Sequence, residues 1–103
     1  MRKLQEAQGL DQLIEAGSSG YFPLFYQVWI HESFADNSVV MRMSFSRAAE
    51  TVHRVYKQIE RHSSLERKKT AIQALKNDER KDFVLSFMKM VEYRTLDRIR
   101  ELH

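Results

Sequence analysis

The chain has 103 residues, of which 43% are hydrophobic and 30% are charged, with 17 Lys and Arg against 14 Asp and Glu. A chain of this length forms one domain, placed at residues 1–103, and its apolar fraction excludes a disordered protein. The net charge of +3 is small and the signs are interleaved. A protein that depends on phosphate neutralisation usually has a larger or more segregated excess. The absence of cysteine excludes disulfides and thiolate metal sites.

Two observations bear on location. The first residues, 1–17, lack the apolar core of a secretory signal. The longest uncharged run, 16–30, is shorter than a membrane span and contains glycine, serine and proline. We therefore expect a cytoplasmic protein that does not enter the membrane.

Turn residues decide the fold class. The chain has three glycines and one proline, far below the average usage of roughly 7% and 5%. A sheet-rich domain of this size needs several tight turns, which glycine, proline and asparagine favour. The composition therefore predicts an all-α fold, a compact bundle of about five helices with short connections.

The first predicted helix covers residues 2–16, and Gly17 is expected just beyond its end. The aromatic segment 21–34 follows, with Pro23 expected in the first turn of a second helix. From Pro23 onward this segment is apolar on every side of a helical projection, which is typical of a buried element. We expect the rest of the chain to be organised around it, and residues 35–38 to connect it to the next helix.

An alternative for this region is a β-hairpin at about residues 25–45. Its strands would be 25–34 and 39–45, because both contain alternating β-branched, aromatic or long apolar residues. The fold would then be α+β, with the hairpin packed on helices.

The clearest periodic signal is a seam with the 4, 3, 4, 3, 4 spacing of a heptad pattern. Its members are Met41, Phe45, Ala48, Val52, Val55 and Ile59. After this helix, Ser63 and Glu66 have the spacing of a capping box, which predicts a short helix ending at about residue 76. A last helix is predicted from Asn77, although one continuous helix from residue 64 is an alternative.

The last helix carries two apolar faces. Its predicted core face consists of Val84, Met88, Val91, Thr95, Ile99 and Leu102. Phe83, Met90 and Tyr93 fall on another side. Either the aromatic segment or the first helix covers this second face within the chain, or it is an interface with a partner, where aromatic residues and methionine are enriched.

A basic ridge follows the seam helix on the side away from the core. Arg47, Arg54 and Arg61 recur every seven residues with Lys57 beside them, and such a row can follow a phosphate backbone. The alternative is a solvated face whose arginines and lysine pair with neighbouring glutamates.

The search for catalytic chemistry is negative. Phosphate-loop, nucleophile-elbow, zinc-protease and kinase motifs are absent from the sequence. Glu50 and His53 form a single ExxH half-motif, whereas di-iron bundles use two. We expect no catalytic, cofactor-binding or metal-binding residues. The sequence favours a small, non-catalytic regulatory or adaptor protein that binds another protein or a second copy of itself. The alternative is a small nucleic-acid-binding regulator that uses the basic ridge.

Overall fold

A computed structural model describes residues 9–36 and the backbone of 48–101, with side chains from residue 52 onward in the second range. Within these two ranges the chain forms five helices and no strand. They are α1 (Leu10–Gly17), α2 (Gln27–Ala35), α3 (Ala48–Glu60), α4 (Leu65–Gln73) and α5 (Asn77–Glu101). These helices hold more than half of all residues. The all-α prediction is confirmed.

The fold is organised around α5, not around the aromatic segment. Helices α1, α2 and α3 all pack against α5, while α4 packs against α3. Four consecutive α5 residues, 82–85, are buried. Successive helical residues point about 100° apart, so this run can be buried only where the helix is surrounded by other parts of the chain.

One apolar core joins these elements. Its buried members are Leu10, Leu13, Ile14, Leu24, Phe25, Trp29, Val55, Ile59, Ile72, Phe83, Val84, Phe87 and Val91. Every described helix contributes to this list, which is what a single packed domain requires.

The aromatic segment departs from prediction in two respects. Its helix begins at Gln27 rather than near Pro23, because Tyr26 has an extended backbone with φ −73° and ψ 144°. The irregular stretch before Gln27 buries both Leu24 and Phe25. The expectation of burial on all sides is also wrong, since α2 lies at the surface with much of Val28 and Phe34 exposed, as is much of Tyr26 just before it.

The hairpin alternative fails in its first strand. Residues 27–34 of that proposed strand are helical. The second proposed strand, 39–45, lies outside the described residues.

Helix α1 begins at Leu10, and residues 2–8 of its predicted span lie outside the described residues. A residue far away in the sequence satisfies the first amide of the helix: Leu10 N–H donates to Glu60 Oε1 at 2.9 Å. Gly17 is the last helical residue and not the one beyond it. A Cβ there would lie 2.8 Å from the Phe22 ring and 2.9 Å from Val91 Cγ2, so close packing explains this glycine.

The seam is confirmed where the structure describes it, since Val52, Val55 and Ile59 are buried. Met41, Phe45 and the side chain of Ala48 lie outside the described part.

The boundaries of the last two helices are also visible. Helix α4 is capped by Ser64, whose hydroxyl accepts from Arg67 N–H at 3.1 Å, so the predicted cap at Ser63 is one residue early. The predicted break before Asn77 is confirmed, and the continuous helix is wrong.

Candidate partner surface

The three residues predicted to form a partner surface on α5 do not lie together. Phe83 is only 1% exposed and belongs to the core. The Phe25 ring meets it edge-on at 6.1 Å and meets Phe87 at 4.9 Å. Met90 is partly buried against the core, and Tyr93 is exposed. The chain itself therefore covers the N-terminal part of this face, as the first of the two alternatives predicts.

The exposed apolar surface of α5 lies nearer its C-terminus. Tyr93, Leu96 and Ile99 are 57%, 42% and 47% exposed, and we call these three residues the C-terminal stripe. At about 100° per residue they span about 120° of the helix circumference over about 9 Å of its length. They form one continuous apolar strip.

The sequence pattern predicts the stripe only in part. The helical pattern places Tyr93 on the second apolar face, which either the chain itself or a partner covers, and it places Ile99 on the core face and Leu96 on neither. Of the predicted core face, Val84 and Val91 are buried and Met88 packs against the core, which confirms that part. Ile99 is exposed because the core cluster ends at Val91, two turns earlier. Leu102 lies outside the described residues.

Ion pairs with α1 fix which side of α5 stays open. Arg94 binds Asp11 at 2.9 Å and Glu15 at 2.8 Å. Arg98 also pairs with Glu15 and donates to Ser19 Oγ at 3.4 Å. Both arginines are two positions from Leu96, about 160° away around the helix. Helix α1 therefore occupies the side of α5 opposite the stripe.

Helix α2 offers a useful comparison. Val28 and Phe34 are exposed and have the same spacing as Tyr93 and Ile99. His31, an exposed polar residue, stands between them where Leu96 stands in the stripe. The neighbouring Tyr26 ring already contacts Trp29 at 4.7 Å and lies 4.1 Å from Lys69 Nζ. The apolar surface of α2 is thus interrupted, whereas that of α5 is continuous.

The predicted basic ridge is weaker than its sequence suggests. Arg54 binds Glu79 of α5 at 2.9 Å, and this ion pair offsets one of the positive charges of the ridge. Lys57 and Arg61 are exposed and have no ion pair within the described residues. Arg47 lies outside those residues. Of the four predicted cations, Lys57 and Arg61 are therefore the two without an ion pair in the described part of the chain.

A buried polar cluster lies where α1, α3 and α4 meet. Lys68 is 1% exposed, donates from Nζ to the carbonyl of His62 and lies 4.0 Å from Glu60 Oε1. Burial lowers the pKa of Lys68, and the Glu60 carboxylate opposes this effect. Burial also raises the pKa of nearby Tyr56, as do the carboxylates of Glu60 and Asp11, against the opposing charge of Arg94.

The contacts of this cluster are structural. The Lys68 ammonium binds a carbonyl just beyond α3, where a positive charge is favoured. The Glu60 carboxylate meanwhile caps α1 through Leu10 N–H. Lys68 is enclosed, and its ammonium is already bound within the fold.

In the residues that the structure describes, no group of three or more His, Asp or Glu side chains is arranged to hold a metal ion. Over the same residues, none of the helices combines the length and the hydrophobicity needed to span a bilayer. Comparisons with protein-family models, with curated proteins and with solved structures gave no match.

Proposed function

We propose that this chain is a non-catalytic regulatory or adaptor domain that binds a protein through its C-terminal stripe. The observation that supports this proposal is the group of three large apolar side chains, Tyr93, Leu96 and Ile99, exposed along one side of α5. Single exposed apolar residues are normal on a soluble protein, but a continuous group bordered by charged residues is typical of an interaction site.

Burial of apolar surface would stabilise a contact made by this side of α5. Burial of apolar surface contributes about 25 cal/mol per Å², and an aromatic ring beside two aliphatic side chains is a common composition for the centre of an interface. The exposed side of α5 also has the shape required to lie along a groove or against another helix.

Affinity capture from a native lysate tests this proposal. The bait is the wild-type chain, and the test variant replaces Tyr93, Leu96 and Ile99 by serine. The matched control replaces Val28 and Phe34 by serine, which removes exposed apolar side chains from α2 instead. We expect the wild type and the control to retain a protein that the test variant loses. Equal capture by all three would contradict the proposal.

Nucleic-acid binding is a second candidate function, supported by the exposed Lys57 on α3 and the exposed Arg61 just beyond the end of that helix. Binding of this kind depends on phosphate contacts and falls steeply with salt. The capture is therefore repeated after nuclease treatment. Loss of the captured protein only after nuclease would favour the nucleic-acid alternative, and retention would favour direct protein binding. The thermal melt of each variant is recorded to confirm that its fold is intact.

A further inference from the structure

We infer that the partner bound by the C-terminal stripe is a second copy of this chain, held as an antiparallel pair of α5 helices about a two-fold axis at Leu96. This inference rests on the proposed function, because it names the partner of the same surface. It depends on the arrangement of charges around the stripe.

Five exposed residues of α5 share one side of the helix. Glu92, Leu96 and Arg100 follow one another at intervals of four residues and so form a nearly straight row. Tyr93 and Ile99 lie on either side of this row, about 60° from Leu96. A second helix that contacts Leu96 therefore meets all five.

A two-fold axis at Leu96 brings complementary residues together. Where the rows of the two copies lie along each other, row residues at equal distances before and after the axis face each other in an antiparallel pair. Glu92 therefore meets Arg100 of the other copy, four residues on each side of Leu96, and by symmetry this ion pair occurs twice. The axis keeps each flank of the row on its own side, so Tyr93 lies beside Tyr93 of the other copy on one flank and Ile99 lies beside Ile99 on the other.

The charges also reject the competing orientation. In a parallel pair, Glu92 would face Glu92 and Arg100 would face Arg100, and like charges across an interface are unfavourable. Both side chains are accessible for an external partner. Glu92 has no ion pair among the described residues, and Arg100 contacts only the exposed Asp97 there, at 3.6 Å.

The contact is short, about three helical turns. Its area falls below the roughly 1,200 Å² of a stable interface, so the pair should be weak, with a dissociation constant of roughly 10–100 μM. Self-association of this strength depends on protein concentration, which makes it measurable with purified protein alone.

Analytical ultracentrifugation of the purified chain from about 5 to 500 μM brackets that constant. We expect reversible dimerisation of the wild type. Glu92→Arg and Arg100→Glu should each weaken it about tenfold or more, because each replaces two attractions by two repulsions. Glu101→Arg is the matched control, since it changes the same charge on the same helix, about 140° away from Leu96, and it should dimerise like the wild type.

Mixing the two charge variants tests the register. In a mixed pair, the arginine introduced at position 92 of one copy faces the glutamate introduced at position 100 of the other, and the second contact joins the unchanged Glu92 and Arg100. An equimolar mixture should therefore associate at concentrations where each variant alone is a monomer. The double variant Glu92→Arg with Arg100→Glu should likewise dimerise. Absence of this rescue would overturn the antiparallel pair, as would dimerisation unaffected by either single change.

A wild-type chain that remains monomeric over the whole range would also overturn the inference. The capture experiment then separates the two proposals. Suppose that the wild type captures another protein and the serine variant of the stripe does not. The stripe then binds that protein, and only the inference of self-association is wrong. If the chain is monomeric and the stripe variant captures the same proteins as the wild type, both proposals are wrong.

Discussion

Phe83 and Tyr93 are both aromatic residues of α5, but Phe83 is buried and Tyr93 is exposed. Truncating each to alanine and measuring the free energy of unfolding tests this difference. Phe83 is fully enclosed, with the Phe25 and Phe87 rings at 6.1 and 6.3 Å. Phe→Ala in a core costs about 3–5 kcal/mol, and the lost aromatic contacts place this case toward the upper end. A domain of this kind has a total stability of about 5–15 kcal/mol, so the loss is a large part of it.

Tyr93→Ala should change the free energy of unfolding by less than about 0.5 kcal/mol, because the residue is exposed on a helix and alanine favours helices. The assay is urea unfolding followed by circular dichroism at low protein concentration, where self-association does not contribute. With an m value of about 1.5 kcal/mol per M, Phe83→Ala should lower the midpoint by about 2 M or more. Equal midpoint shifts for the two variants would refute the placement of Phe83 and Tyr93 on α5.

Two further predictions concern the other close contacts. Gly17→Ala should destabilise the fold by about 1 kcal/mol, because crowding against Phe22 and Val91 outweighs the helix propensity of alanine; a higher melting temperature would contradict this. Since burial lowers the pKa of Lys68, its folded form releases a proton at lower pH than the unfolded chain. The free energy of unfolding of the wild type, relative to that of Lys68→Met, should therefore rise as the pH increases toward the ordinary lysine pKa of about 10.4. Urea unfolding of both proteins at several pH values measures this difference, and a difference that stays constant with pH would contradict the prediction.

The fold class could be predicted because it depends on local properties. Scarcity of glycine and proline disfavours tight turns, and the 4, 3, 4 spacing of the seam matches the burial of Val52, Val55 and Ile59. The break before Asn77 is likewise predicted from residues that favour helix starts. These signals act within a few residues of the chain and do not depend on which elements become neighbours.

The aromatic segment shows where this local reasoning fails. Its composition indicates a fully buried helix, yet the chain buries Leu24 and Phe25 before the helix starts and leaves Val28 and Phe34 exposed. The deciding contact joins Phe25 to Phe83, 58 positions later in the chain. Periodicity describes which residues share a face, but it does not identify the element that covers that face.

The candidate site illustrates the same limit. The helical repeat predicts Ile99 in a continuous core stripe with Val84 and Val91, because intervals of seven and eight residues both return to the same broad side of a helix. The structure separates them, since the core cluster ends at Val91 while α5 continues to Glu101. The ion pairs of Arg94 with α1 show where that helix lies, and the exposed stripe follows from its position.

We propose that the two halves of α5 have separate roles. Its N-terminal half supplies Phe83, Val84 and Phe87 to the core, and substitutions there should act mainly on folding. Its C-terminal half is held to α1 by charged side chains on one side and is open on the other, so the apolar residues of the stripe contribute little to the fold. Large exposed apolar side chains that do not stabilise a domain still reduce its solubility. Their presence in a continuous row, between a glutamate and an arginine placed symmetrically about Leu96, is better explained by a binding surface than by the requirements of the bundle.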